Sequence, residues 1–340
     1  PGDMGMHIGS THDRIAAARW QGATTPAKPY FFSLGLYPAM TCRHFLSLLD
    51  FSSSELHELL DRARRLKAEL HQGRQADLMQ GKTLAMLFEK ASTRTRLSFE
   101  IAINQLGGSA LFLSPGDSQM SRGESLVDTA RVLSSMADLI AMRTLAHERL
   151  ETVAEHSRIP VINAMSDKLH PCQLLADVLT FIEHRGPIAQ SQVAWVGDGN
   201  NVCHSWINAA RQFTFDLRIA TPSGYEPDPS ILGIQRERVF LTDDPQQAVD
   251  GADLVVTDTW TSIGMESERA EREAALSNYR VTEDLMKNAS TDALFMHCLP
   301  AYRGKEVVAA VIDGPQSVVW DEAENRLHAQ KGLIQMLFDN

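Results

Sequence analysis

The sequence predicts an α/β protein with two doubly wound parallel-sheet domains and an active-site cleft between them. Three observations carry this. Short apolar runs with the character of buried strands alternate with helical patterns over nearly the whole chain. The alternation breaks at Arg185-Gly186-Pro187 and restarts, and a length of 340 residues suits two domains. Polar motifs stand where the strands end, which is where parallel sheets bind their ligands.

The first helix is predicted over residues 54–70, with Ser52, Ser53 and Ser54 offering an N-cap and Glu55 in the first turn. Strands follow at 84–88, 110–113, 139–142 and 161–163. After the first of them a helix opens, with Leu97, Ile101 and Leu106 marking its apolar positions. A long helix starts near Pro171, suited to a first turn, and ends at Gly186. The second set has strands at 192–196, 217–220, 254–257, 294–296 and 318–320. Its helices lie at 202–212, 245–249 and near 281–287, and a final helix spans roughly 325–337. The domains are therefore expected at 40–180, joined by the C-terminal helix 325–340, and at 181–324.

Composition narrows the function. The apolar fraction of 44% and the charged fraction of 22% are those of an ordinary globular protein. A net charge of -11 argues against a nucleic-acid surface, which needs a broad basic face, but leaves room for a local anion pocket. Cys42, Cys172, Cys203 and Cys298 form no C-x-x-C pair or zinc-like spacing. This fits a reduced, cytoplasmic setting without a structural metal. No apolar run approaches the roughly 20 residues that span a bilayer, so no membrane partner is expected. Residues 1–39 lack sustained periodicity, and no acid lies between Asp13 and Asp50. They are read as a disordered extension or a leader with weak transit-peptide character, and Met40 is the natural start.

The most informative stretch is Ser92-Thr93-Arg94-Thr95-Arg96, between a buried strand and a helix. A helix start offers unpaired N–H groups and a positive dipole end; hydroxyls and guanidiniums there suit a phosphate-like dianion. Taken alone, the stretch also fits a helix cap followed by solvated arginines. Arg143 ends the third strand. His170 and Gln173, three apart at the head of a helix, face the same way and suit a carbonyl or an amide; His170 alone reads equally as a capping or core residue. Gly197-Asp198-Gly199-Asn200-Asn201 hints at dinucleotide binding, but Val202 replaces the third glycine and no ribose-binding acid ends the next strand. The asparagines look more like polar ligands. Asp258, at a strand tip, suits an ammonium group or an Asx turn. In His297-Cys298-Leu299-Pro300, adjacent strand residues point to opposite sides, so no Cys–His nucleophile pair is expected. Cys298 is a polarizable neighbour of a reacting amine or a buried inert thiol.

Together these motifs, with Met142-Arg143-Thr144, Asp258-Thr259-Trp260-Thr261-Ser262-Ile263-Gly264 and Asp321-Glu322-Ala323-Glu324-Asn325-Arg326, resemble the aspartate/ornithine carbamoyltransferase family in its ornithine branch. The resemblance runs from about Arg43 to Leu337. It implies transfer of the carbamoyl group of carbamoyl phosphate to the δ-amine of L-ornithine, giving L-citrulline and phosphate in arginine biosynthesis. It implies that Ser92, Thr93, Arg94 and Thr95 hold the phosphate and that Arg143, His170 and Gln173 hold the carbamoyl end. Cys298 and Leu299 would lie where the substrates meet, and Arg326 would return to the carbamoyl phosphate site. Asn201, Asp258, Ser262 and Ile263 would contact ornithine. Gln119 would reach a neighbouring subunit's site in a homotrimer or a multiple of trimers. Arg94, Arg143, His170 and Cys298 are the candidate catalytic residues, and no cofactor or metal is implied. The proton acceptor for the δ-amine stays open among Cys298, Asp258 and the departing phosphate.

The chemistry suits the motifs. Phosphate and oxyanion charge need arginines, and the cleft supplies proximity and water exclusion. The chain departs from the family pattern at Ile263, where the family has Met, and at Tyr302, where it has His. Ile263 stays apolar and similar in volume but stiffens its loop. Putrescine or acylated ornithine as the amine, a non-catalytic paralogue and a nicotinamide oxidoreductase are the competing readings.

Overall fold

The computed structural model describes Gly2 and residues 42–339, apart from 115, 117–118, 120–122, 234–236 and 262–264. The expectations for residues 1–39, Ser262 and Ile263 therefore lie outside the described residues.

The first set of elements is α1 (Ser53–His71), β1 (Thr83–Phe88), α2 (Thr93–Gln105), β2 (Ser109–Leu113), α3 (Leu126–Met136), β3 (Leu139–Arg143), α4 (His147–His156), β4 (Val161–Met165) and α5 (Pro171–Arg185). The second comprises β5 (Gln192–Val196), α6 (Asn201–Phe213), β6 (Asp216–Ala220), α7 (Pro229–Leu232), β7 (Val239–Thr242), α8 (Pro245–Val249), β8 (Leu254–Thr257), α9 (Arg269–Leu276), α10 (Glu283–Met286), β9 (Leu294–His297), α11 (Ala309–Ile312) and α12 (Val319–Phe338). Each set, apart from α12, forms one α/β domain around one parallel sheet, in the orders β2-β1-β3-β4 and β7-β6-β5-β8-β9.

Both orders reverse direction once, between β1 and β3 in the first sheet and between β5 and β8 in the second. Helices leave opposite sides at such a switch point, and a crevice opens at the strands' C-terminal ends. Residues 92–96 follow β1, Arg143 ends β3, Asp198–Asn201 follow β5 and Asp258 follows β8. The topology alone gathers the sequence motifs.

Local signals set most boundaries. Ser52 caps α1 through a capping box with Glu55, and Ser92 caps α2 by accepting from Thr95 N. Pro171 starts α5, and Gly186 ends it at φ 84, a left-handed value that favours glycine. The inner strands β1, β3, β5 and β8 are buried along their cores, as parallel sheets require, whereas the edge strands β2 and β7 are partly exposed. The long α12 packs on α1, α2 and α5 of the first domain. Gly332 permits this, because a Cβ there would meet Leu59 O at 2.6 Å.

Three expectations are corrected. Residues 318–320 are not a strand: α12 begins at Val319, ahead of the expected start near 325, and only Ser317 bridges to Phe295. β7 was not anticipated; it is an edge strand with half-exposed Phe240 and Leu241, so it lacks a buried run. The inner face of α2 is Thr95, Ser98, Phe99, Ala102 and Ile103, whereas Leu97 is 57% exposed.

Candidate active site

The crevice is a cavity of ≈ 530 Å³. Its walls include Ser92, Thr93, Arg94, Thr95, Arg143, His170, Asn201, Asp258, Cys298, Leu299 and Arg326. These eleven expected residues come from seven separate segments of the chain. Gln173 lies one turn behind His170 on α5 and is not part of the wall. Gln119 is exposed and also not part of this chain's own wall.

One part of the cavity is cationic. Arg143 and Arg326 are buried, Arg94 is half-buried, and Arg326 Nη2 donates to Thr95 Oγ1 at 2.9 Å. Burial, then Arg326 and Arg94, lower the Arg143 pKa to about 10. Burial, with a contribution from Arg94, lowers that of Arg326 too. Three guanidiniums this close repel one another, so the cluster is arranged for an anion. Arg143 Nε, Arg326 Nε and His170 Nδ1 are buried and make no hydrogen bond within the protein. Such atoms are costly unless a ligand engages them. Burial, Arg326 and Arg143 hold His170 well below the usual histidine range. It is therefore neutral and able to donate to a carbonyl oxygen without adding charge.

The other part is anionic. Asp258 Oδ1 accepts from Thr259 N at 2.7 Å and from the Cys298 thiol at 3.1 Å. Its Oδ2 accepts from Asn200 Nδ2 at 2.7 Å. The bond to Thr259 N reaches one residue on and not two, so it does not make the expected Asx turn, and the carboxylate lines the cavity. Asp198 is pushed up to about 6 by burial, with Arg272 opposing and Asp258 adding to the rise. Gly199 is needed beside it, because a Cβ would meet Pro227 N at 2.3 Å.

Cys298 joins the two parts. Burial and then the neighbouring Asp258 push its thiol well above the ordinary range, so it is a thiol and not a thiolate. His297 does not activate it: its Nε2 faces Glu306 Oε1 at 3.2 Å and its Nδ1 accepts from Leu299 N at 3.0 Å. Leu299 sits at φ 54 within this turn, and the Leu299–Pro300 peptide is cis. The ligand atoms of Asp258, His297 and Cys298 lie within 4.8 Å of one another, as do those of His71, Glu324 and His328. In the first group every side chain already has protein partners, so a metal would have to displace them.

Reading the sequence missed Asp167, His204, Tyr225, Glu226 and Arg272 in the wall. Asp167 follows β4, and Tyr225 and Glu226 follow β6, so the ends of those strands were the available signal. Arg272 belongs to the short α9, has no strand end to announce it, and donates to Asp198 Oδ2 at 2.9 Å.

A family model described as the carbamoyl-P binding domain of aspartate/ornithine carbamoyltransferase matches residues 43–183, and the model of the Asp/Orn binding domain matches 189–337. The chain is 59% identical over 298 residues to the ornithine carbamoyltransferase of Nitrosococcus oceani, covering 88% of this chain and 98% of that protein. Its fold is similar to the crystal structure of ornithine carbamoyltransferase from Burkholderia thailandensis, with a TM-score of 0.81 and 49% identity over 87% of this chain and 98% of that one. It is also similar to the Pyrococcus furiosus enzyme, with a TM-score of 0.83 and 47% identity over 86% and 96%.

Proposed function

The chain belongs to the aspartate/ornithine carbamoyltransferase family, and from that premise we propose that it transfers the carbamoyl group of carbamoyl phosphate to the δ-amine of L-ornithine. The products are L-citrulline and phosphate. The observation that carries this reading is the bipolar cavity, with three guanidiniums in one part and the Asp258 and Asp198 carboxylates in the other. A dianion and an amino acid bearing an ammonium group are its complementary ligands.

In this reading Ser92, Thr93, Arg94 and Thr95 hold the phosphate at the N-terminus of α2. Arg143 and His170 polarise the carbamoyl oxygen, Gln173 serves the carbamoyl amide, and Arg326 neutralises charge on the leaving phosphate. Asp258 and Asn201 hold the α-amino acid end of ornithine, with Ser262 and Ile263 expected beside them. Cys298 and Leu299 lie where the reacting atoms meet. The δ-amine attacks the carbamoyl carbon, the C–O bond to phosphate breaks, and the departing phosphate takes the proton. The raised thiol pKa disfavours Cys298 as the base.

The domains are assigned as 40–180 plus helix 325–340 for carbamoyl phosphate and 181–324 for ornithine. The packing of α12 on α1, α2 and α5 supports this division. A cytoplasmic homotrimer acting in arginine biosynthesis completes the reading. Gln119 would complete a neighbour's site, supported by its exposure and by a second hollow of ≈ 480 Å³ that adjoins Ser92 and Thr93 and is lined by exposed Leu97.

A colorimetric citrulline assay with carbamoyl phosphate and L-ornithine, run beside putrescine and N-acetylornithine, tests the reaction. Ornithine should be carbamoylated at least 100-fold more efficiently than either. Preference for another amine, or no carbamoylation at all, refutes the reading.

A further inference from the structure

Gln173 is buried, and its side-chain nitrogen is fully committed. Nε2 donates to Asp177 Oδ1 at 2.8 Å and to Glu322 Oε1 at 2.9 Å. Two carboxyl partners settle the orientation of an amide, because only its NH₂ can donate to both. The atom left over is Oε1, which is buried and makes no hydrogen bond within the protein. Glu322 also accepts from His297 N through Oε2 at 2.9 Å, tying this group to the turn that carries Cys298. All three side chains are about 1% exposed.

We propose that Asp177 and Glu322 are positioning residues that fix the amide polarity of Gln173, so that it meets the substrate as an acceptor and selects a carbamoyl NH₂ over an isosteric methyl group. The inference rests on the reading of the cavity as a carbamoyl phosphate site whose carbamoyl end reaches past His170, in the wall, to Gln173 one turn behind it. Burial drives both acids upward, Asp177 to about 7 and Glu322 well above the usual range. The pair therefore shares a proton and avoids two buried like charges. Without Asp177, a protonated Glu322 can donate to Gln173 Oε1, and the amide is free to reverse.

Acetyl phosphate, with a methyl group in place of the NH₂, is the probe. Calorimetric titration of the full-length protein with carbamoyl phosphate and with acetyl phosphate gives the ratio of the two Kd values. The wild-type chain should prefer carbamoyl phosphate by roughly tenfold, the worth of one hydrogen bond to a buried acceptor. Asp177→Asn keeps an oxygen for Gln173 and should keep the preference. Asp177→Leu should bring the ratio to within about twofold of one, and Asp177→Ser carries the same expectation if the leucine variant does not fold. A general loss of packing would weaken both ligands alike and leave the ratio unmoved. A wild-type preference retained by Asp177→Leu or Asp177→Ser, or lost equally in Asp177→Asn, overturns the inference. Equal wild-type binding of both ligands overturns it alone, whereas binding of neither overturns the cavity reading as well.

Discussion

Replacing Asp258 by asparagine separates the two parts of the cavity. The carboxylate accepts hydrogen bonds from Thr259 N, the Cys298 thiol and Asn200 Nδ2. An asparagine has one acceptor oxygen. If that oxygen faces Thr259 and Cys298, its NH₂ faces the NH₂ of Asn200. Asn200 cannot reverse, because its Oδ1 caps α6 by accepting from Val202 N at 2.9 Å and Cys203 N at 3.1 Å. One buried donor is left unpaired, costing about 1–3 kcal/mol of stability. The larger effect falls on ornithine, whose α-ammonium loses a desolvated charge partner worth about 2–5 kcal/mol. That is a loss of roughly 30- to 5,000-fold in kcat/KM for ornithine. Carbamoyl phosphate engages the arginines, so its Kd should move less than about threefold. Initial rates of citrulline formation and calorimetric titration read the two quantities separately. A fall in carbamoyl phosphate affinity as large as the ornithine effect would refute the division of labour, as would an ornithine effect below tenfold.

The other predictions address the remaining groups. Arg94→Ala should weaken carbamoyl phosphate binding at least tenfold and cut the stabilisation of about 2.7 kcal/mol that ligand at 100 times the wild-type Kd gives the wild-type chain to about 1.4 kcal/mol or less; wild-type affinity by calorimetry would contradict the phosphate site. Burial, with Lys331 and Lys67, lowers the His328 pKa to about 3, while the unfolded ring takes its proton near 6.5. Stability should therefore fall as pH drops below about 6.5, by up to about 1.4 kcal/mol per pH unit, and thermal melts should show His328→Gln losing less than wild type between pH 6.5 and 5. The kcat/KM for ornithine should rise from neutral to alkaline pH, because an alkyl ammonium has a pKa near about 10.4; a profile whose shape changes in Cys298→Ser would restore the thiol as a base. Co-refolding Gln119→Trp with Arg143→Ala should give hybrids more active than either parent, and hybrids seen by native mass spectrometry that stay inactive would reject shared sites.

Much of this was legible in the sequence because parallel sheets write a clear record. Their strands are buried on both faces, and their ligands sit at the strand ends, so Arg143, Asp198 and Asp258 fall directly after apolar runs. Pro171 and Gly186 bracket α5 for reasons of backbone geometry alone. The failures have physical causes too. Val318-Val319-Trp320 carries strong strand propensity, yet tertiary packing of α12 draws it into a helix. β7 was obscured because an edge strand need not be buried. Leu97 misled the reading of α2 because its exposure has no explanation within one chain, whereas a subunit contact would supply one. Arg272 reaches the cavity only through topology, and no local pattern marks it. The buried Glu322 was hidden because its partners Gln173 and His297 stand far from it in sequence.

The most direct test is a crystal structure of the protein with carbamoyl phosphate and L-norvaline, an ornithine analogue without the δ-amine. The phosphate should lie within hydrogen-bonding distance of Arg94, Thr95 and Arg326, the carbamoyl oxygen should face Arg143 and His170, and the norvaline ammonium should sit on Asp258. A phosphate bound beside Asp198 and Asp258, or an amino acid bound outside this cavity, would contradict the account.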